Sequence, residues 1–202
     1  LVFRSFVLEP FRIPSGSMLP TLKIGDFITV NKYTYGLKFP VWGWWITADK
    51  MPKRGDIIVF HSSVNPKIDL IKRVIGLPGD HISYVDRQLT INGHKIAETP
   101  MGQAIEPADS LSQPVNVYQE DLMGVKHMVY TMPWVATDNF KDLVVPKGKL
   151  FVMGDNRDNS DDSRYWGFVD PHHIIGQATH VWLSWDSGTS NIRWDRFGKS
   201  LG

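Results

Sequence analysis

The stretch Asp69-Leu70-Ile71-Lys72-Arg73-Val74-Ile75-Gly76 is a short apolar, β-branched run bounded by Asp and Gly, and it reads as a strand with two cations in its middle. Strand side chains alternate between faces, so Lys72 and Arg73 point to opposite sides and only one of them can enter a dry site. The same texture recurs at residues 26–36, 55–61, 81–85, 88–96, 149–154 and 179–185, each bounded by Gly, Pro, Asn or Asp. Helical periodicity is scarce. It predicts one short turn opening at Ser17 or Pro20 and another from Asp170 to Ile175, with Pro171 at a first helical position. The chain is therefore expected to be mainly β.

Working outward, the segment 81–146 has a texture of its own. A hairpin turning at Asn92-Gly93 is followed by a polar stretch holding Pro100, Pro107 and Pro114, then by further strand-like pieces. It reads as an insertion, which leaves 1–80 and 147–202 to pair in space as one discontinuous domain. A length of 202 residues suits one large domain or one core with an insertion. With 22 Lys+Arg against 21 Asp+Glu, the net charge of +1 lacks the basic field of a phosphate-gripping protein, so nucleic acid is not an expected partner. The absence of cysteine excludes disulfides, thiolate metal sites and a cysteine nucleophile. No apolar run approaches the ~20 residues that span a bilayer. The chain starts at Leu1, without Met, and reads as a fragment of a longer protein, which leaves room for a membrane anchor upstream.

Three constellations carry chemistry. In Ile13-Pro14-Ser15-Gly16-Ser17-Met18-Leu19-Pro20, prolines fence a bend holding two hydroxyls. Acyl transfer needs such a bend, because nucleophile and oxyanion donor must converge on one carbonyl. Ser17 is the candidate nucleophile, and an ordinary Ser/Gly/Pro turn is the plain alternative. None of the seven histidines sits in a triad setting, so the candidate base is Lys72. Burial among Leu70, Ile71 and Val74 would lower its pKa from the ~10.4 of a free lysine; the alternative is a lysine that snorkels to water. The third constellation, Gly154 through Gly167, is dense in Asp, Asn and Ser. It fails the EF-hand spacing, and Asp162 and Arg164 share a side if the chain is extended there. His172-His173 lacks a third ligand at metal spacing, so no metal and no cofactor are expected.

Taken together, Pro14 to Met18, Lys53 to Phe60, Ile71 to Asp80 and Gly154 to Gly167 resemble, in order, the boxes of a bacterial type I signal peptidase, with a Gram-negative-like pattern. The resemblance covers the flanking segments, and 81–146 only as the family's variable inserted domain. It implies two antiparallel β-sheet domains, the smaller inserted into the catalytic one. It further implies a membrane-associated serine endopeptidase that removes signal peptides from exported preproteins after small residues at positions −1 and −3. In that reading Ser17 is the nucleophile and Lys72 the general base. The Ser17 N–H and the Ser15 hydroxyl bind the oxyanion, and Ser160 hydrogen-bonds Lys72. Asp155, Arg73, Asp162 and Arg164 are ion-paired supports, while Ile13, Pro14 and Ile71 line the substrate pockets. Asp161 is a departure from the motif, and the disulfide common in Gram-negative members is missing.

The resemblance also implies the cytoplasmic (inner) membrane, with the catalytic domain on the periplasmic side. Trp42, Trp44 and Trp45 are candidates for entering lipid, aromatic packing within a hairpin being the alternative. Two other readings stay open on the residues alone: a self-cleaving Ser/Lys repressor, which shares the SGSM-like segment, and a non-catalytic β-rich binding module.

Overall fold

The computed structural model describes residues 8–35, 50–106, 113–137 and 139–201. The opening residues and Trp42, Trp44 and Trp45 lie outside them. The described chain is mainly β, built on three antiparallel sheets. The strands are β1 (Leu8–Arg12), β2 (Asp26–Asn31), β3 (Ile57–His61), β4 (Asp69–Gly76), β5 (His81–Val85), β6 (Gln88–Ile91), β7 (His94–Lys95) and β8 (Ala97–Glu106). They continue with β9 (Gln113–Leu122), β10 (Val125–Thr131), β11 (Phe140–Val144), β12 (Phe151–Met153), β13 (Ile174–Asp186), β14 (Asn191–Ile192) and β15 (Lys199–Ser200). One helical turn, α1 (Ser163–Trp166), follows β12.

The largest sheet runs β1-β2-β13-β3-β4-β12, with β14 and β15 on β13, and so draws strands from both ends of the chain. Its central strand β3 is buried on both faces. Ile57 and Val59 join Ile13, Met18, Leu22, Ile28 and Val30 in one core. Ile58 and Phe60 join Val74, Leu150, Val152 and Ile174 in another. Strand alternation thus divides one apolar run between two cores. A buried ion pair from Arg196 to Asp26 fastens the C-terminal segment to β2.

Apart from a single bridge between Tyr130 of β10 and Asn156, strands β5 to β11 pair among themselves in the described residues, as a four-stranded sheet β11-β5-β6-β7 and a three-stranded sheet β10-β9-β8. The β6–β7 hairpin turns at Asn92 and Gly93, both at positive φ, as a tight Asn-Gly hairpin requires. The four-stranded sheet shares a core with the large one, since Ile82, Tyr84 and Leu89 pack with Ile75, Phe151 and Met153.

Two local readings change. The part of the polar stretch around Pro100 forms β8, an edge strand of ten residues; Pro107 lies outside the described residues, and Pro114 falls at the start of β9. Pro100 is tolerated at a register shift because an edge position and a bulge both spare its missing N–H. The segment after Asp162 is not extended: Asp162 caps α1 and accepts from the Arg164 N–H. The bend opening at Ser17 is a turn over 17–21, and Pro171–His173 is a single 3-10 turn capped by Asp170.

Candidate active site

Ser17 lies in the bend between β1 and β2. The bend is closed by Leu19 N–H donating to Gly16 O at 3.1 Å and Leu22 N–H donating to Met18 O at 2.9 Å. Met18 and Leu22 are fully buried in the first core and act as its anchors, so the backbone of Ser17 is set by packing on either side. Across the sheet, Lys72 of β4 reaches the same place: its Nζ is 2.7 Å from Ser17 Oγ, with 55 residues of chain between them. Lys72 is 3% exposed. Burial lowers its pKa to about 8, against the opposing pull of Asp162, Asp161 and Asp155. The Ser15 hydroxyl lies 3.5 Å from Ser17 Oγ.

The loop 154–162 wraps behind this pair. Asp155 is fully buried and takes a two-pronged contact from Arg73, Nε to Oδ1 at 2.8 Å and Nη2 to Oδ2 at 2.7 Å. Burial alone would raise the Asp155 carboxyl; the Arg73 guanidinium outweighs it and holds the group below the usual carboxylate range. Arg73 and Lys72, adjacent on β4, are both buried, against the expectation that only one of them enters a dry site; the Asp155 carboxylate matches the Arg73 charge and so makes its burial tolerable. The Thr21 hydroxyl also donates to Asp155. Asp162 is gripped by Arg164, Nε to Oδ1 at 2.8 Å and Nη2 to Oδ2 at 2.9 Å, and it accepts from Gly154 N–H at 2.9 Å.

Ser160, expected to hold the Lys72 amine, gives its proton to Asp162 Oδ2 at 2.8 Å instead. An ionised carboxylate is the stronger acceptor, so the hydroxyl rigidifies the loop. At Gly154 an added Cβ would sit 2.3 Å from Ser160 Oγ and 2.4 Å from Ser17 O, so the loop approaches the bend this closely only because a glycine is there. Ile13 is buried and Ile71 partly buried against the same core, while Pro14 is exposed.

The structure thus brings Ser15, Ser17, Lys72, Arg73, Asp155, Ser160, Asp162 and Arg164 to one place. Residues that the sequence reading passed over stand beside them. The Asn156 N–H donates to Ser17 O at 3.1 Å and its amide nitrogen to Gly16 O at 3.0 Å, so Asn156 holds the nucleophile bend. Beyond it, Arg157 Nη2 contacts Glu120 Oε1 at 2.6 Å. His127 Nε2 lies 3.3 Å from Glu120 and 3.7 Å from Asp155. Glu120 and His127 sit in unremarked strands of the middle segment, where no local pattern pairs them with the loop.

The family model described as signal peptidase, peptidase S26, matches residues 1–185. The signal peptidase I of Pseudomonas aeruginosa is 44% identical over 205 aligned positions, covering 95% of this chain and 71% of that protein. That of Haemophilus influenzae is 32% identical, covering 96% and 70%. A solved signal peptidase I from Enterococcus faecalis is 34% identical over 63% of this chain and 97% of that one, with a TM-score of 0.42.

Proposed function

Because the chain belongs to the signal peptidase family, peptidase S26, and is a serine endopeptidase of signal peptides, we propose that its chemistry is run by a Ser17/Lys72 dyad. The observation that carries the proposal is the 2.7 Å contact between Ser17 Oγ and a buried Lys72 Nζ. Neutral Lys72 takes the Ser17 proton as Oγ attacks the scissile carbonyl, and an ester forms as the C–N bond breaks. Lys72 then gives that proton to the leaving amine. A water, deprotonated by the same amine, hydrolyses the ester and regenerates Ser17. The Ser17 N–H and the Ser15 hydroxyl bind the oxyanion. Arg73, Asp155, Asp162, Arg164 and Ser160 hold the pair in place.

Two free strand edges support a substrate bound as an added strand. In the described residues β1 pairs only with β2, and β12 meets β4 only from Arg73 onward, which leaves the outer edge of Asp69 to Lys72 unpaired. A signal-peptide cleavage region is extended and fits such an edge. Ile13, Pro14 and Ile71 would then wall pockets that admit only small side chains at −1 and −3. We assign residues 81–146 as the inserted domain and 1–80 with 147–202 as the catalytic one.

No helix of the described residues is long and apolar enough to cross a membrane. We place the catalytic part on the periplasmic face of the cytoplasmic membrane. Lipid contact is to be made by Trp42, Trp44 and Trp45; a triple Trp→Ala variant should lose liposome binding, and unchanged binding would refute that contact. The dyad is tested by cleavage of a preprotein, or of a peptide with Ala at −1 and −3, by the wild type, Ser17→Ala and Lys72→Ala. Each substitution should lower kcat by about a thousandfold or more. Full activity in either removes that residue from its role.

A further inference from the structure

The large sheet alone does not fix the loop that holds Ser17. Tyr130 of β10 donates its N–H to Asp155 O at 2.9 Å, and Arg157 N–H donates to Tyr130 O at 2.9 Å, which makes a parallel bridge between Tyr130 and Asn156. Asn156 in turn holds the carbonyls of Gly16 and Ser17. Residues 155–157 are thus sandwiched between the three-stranded sheet on one side and the nucleophile bend on the other. Side chains reinforce the clamp: Leu19 of the bend packs with Val115 and Tyr130.

One residue of that sheet ties it to the loop through a buried charge. Glu120, in the middle strand, is paired in register with Glu98 of β8 and His127 of β10. It is 0% exposed and faces Arg157, 1% exposed, at 2.6 Å. Burial would raise the Glu120 carboxyl, yet Arg157 and His127 hold it at about 2. The Arg157 backbone oxygen accepts from Arg164 Nη2 at 2.5 Å, and Arg164 also lies 5.5 Å over the ring of Tyr84 in β5. A shift of Arg157 would therefore pass to Arg164 and Asp162 on one side and through Asn156 to Ser17 on the other.

We propose that Glu120 is a positioning residue for the Ser17/Lys72 pair, and that the three-stranded sheet sets the nucleophile bend together with the core packing of Met18 and Leu22. This rests on the dyad reading above. The test is steady-state cleavage of the same Ala/Ala peptide by the wild type, Ser17→Ala, Glu120→Asp and Glu120→Gln, with thermal melts of each. Glu120→Gln should lower kcat at least tenfold while KM stays within twofold, and Glu120→Asp, which keeps the charge, should recover most of the loss. A kcat for Glu120→Gln within twofold of the wild type, or a loss confined to KM, overturns the proposal. If Glu120→Gln fails to melt cooperatively, the double variant Glu120→Gln/Arg157→Gln, which leaves no unpaired charge, is judged by the same limits. Failure of Ser17→Ala to abolish cleavage would instead overturn the dyad, whatever Glu120 does.

Discussion

Lys72 is the general base of the proposed dyad, and its environment and that of Ser17 make three predictions. A lysine held at about 8 instead of 10.5 penalises the folded state as long as the unfolded chain binds a proton that the fold resists. The penalty is full below about pH 8 and fades as pH rises to 10.5, so stability should rise with pH across that window. Lys72→Met should therefore melt higher than the wild type at pH 7, by up to roughly 3 kcal/mol, with the gain shrinking toward pH 10. Equal melting at both pH values would contradict a buried neutral amine. Asp161, exposed beside the site, favours the ammonium form of Lys72. Its replacement by Asn should shift the rising limb of the rate profile about a few tenths of a unit to lower pH, the effect being small because water and salt screen an exposed charge. If Ser15 donates to the developing oxyanion as proposed, Ser15→Ala should cost about a hundredfold in kcat with KM little changed.

At the scale of elements, the loop 154–162 and the turn α1 act as one unit hinged on Asp162. Its carboxylate caps α1, pairs with Arg164 and accepts from Ser160 and Gly154. Asp162→Ala strands the buried Arg164 charge and should cost about 3–5 kcal/mol in a denaturant titration; a loss below 1 kcal/mol would show that the cluster is not what holds the loop. Much of this site was legible in the sequence. Ser17, Lys72 and the acidic loop stand in short motifs that the sequence singles out, and the fold brings them together; the burial of Arg73 beside Lys72 was not legible, because the carboxylate that matches its charge lies 82 positions away. The rest was not, for physical reasons. The resemblance assigns Ser160 to Lys72, whereas its proton goes to the Asp162 carboxylate, the stronger acceptor. Glu120, His127 and Arg157 meet only because β9 and β10 fold back on the loop, a tertiary contact that no local pattern encodes. Strand β8 was obscured by Pro100, which an edge and a bulge accommodate.

For the whole molecule, the large sheet gathers strands from both flanks while 81–144 supplies two sheets of its own. Its cores were less legible, because Ile75, Phe151 and Met153 share one with the four-stranded sheet. The buried carboxylates Asp155 and Glu120 both sit below their ordinary pKa. They contribute stability above the unfolded carboxylate range that is lost as pH falls through their folded values. The melting temperature should accordingly drop below about pH 4, and less steeply in Glu120→Gln. Burial of one amine by the whole fold is what makes a lysine a base near neutral pH, and the pH dependence of kcat/KM on an Ala/Ala peptide reads it directly. A single rising limb with a midpoint near 8 is the predicted result; a midpoint near the ~10.4 of free lysine, or a flat profile from pH 6 to 10, would contradict a neutral Lys72 acting on Ser17.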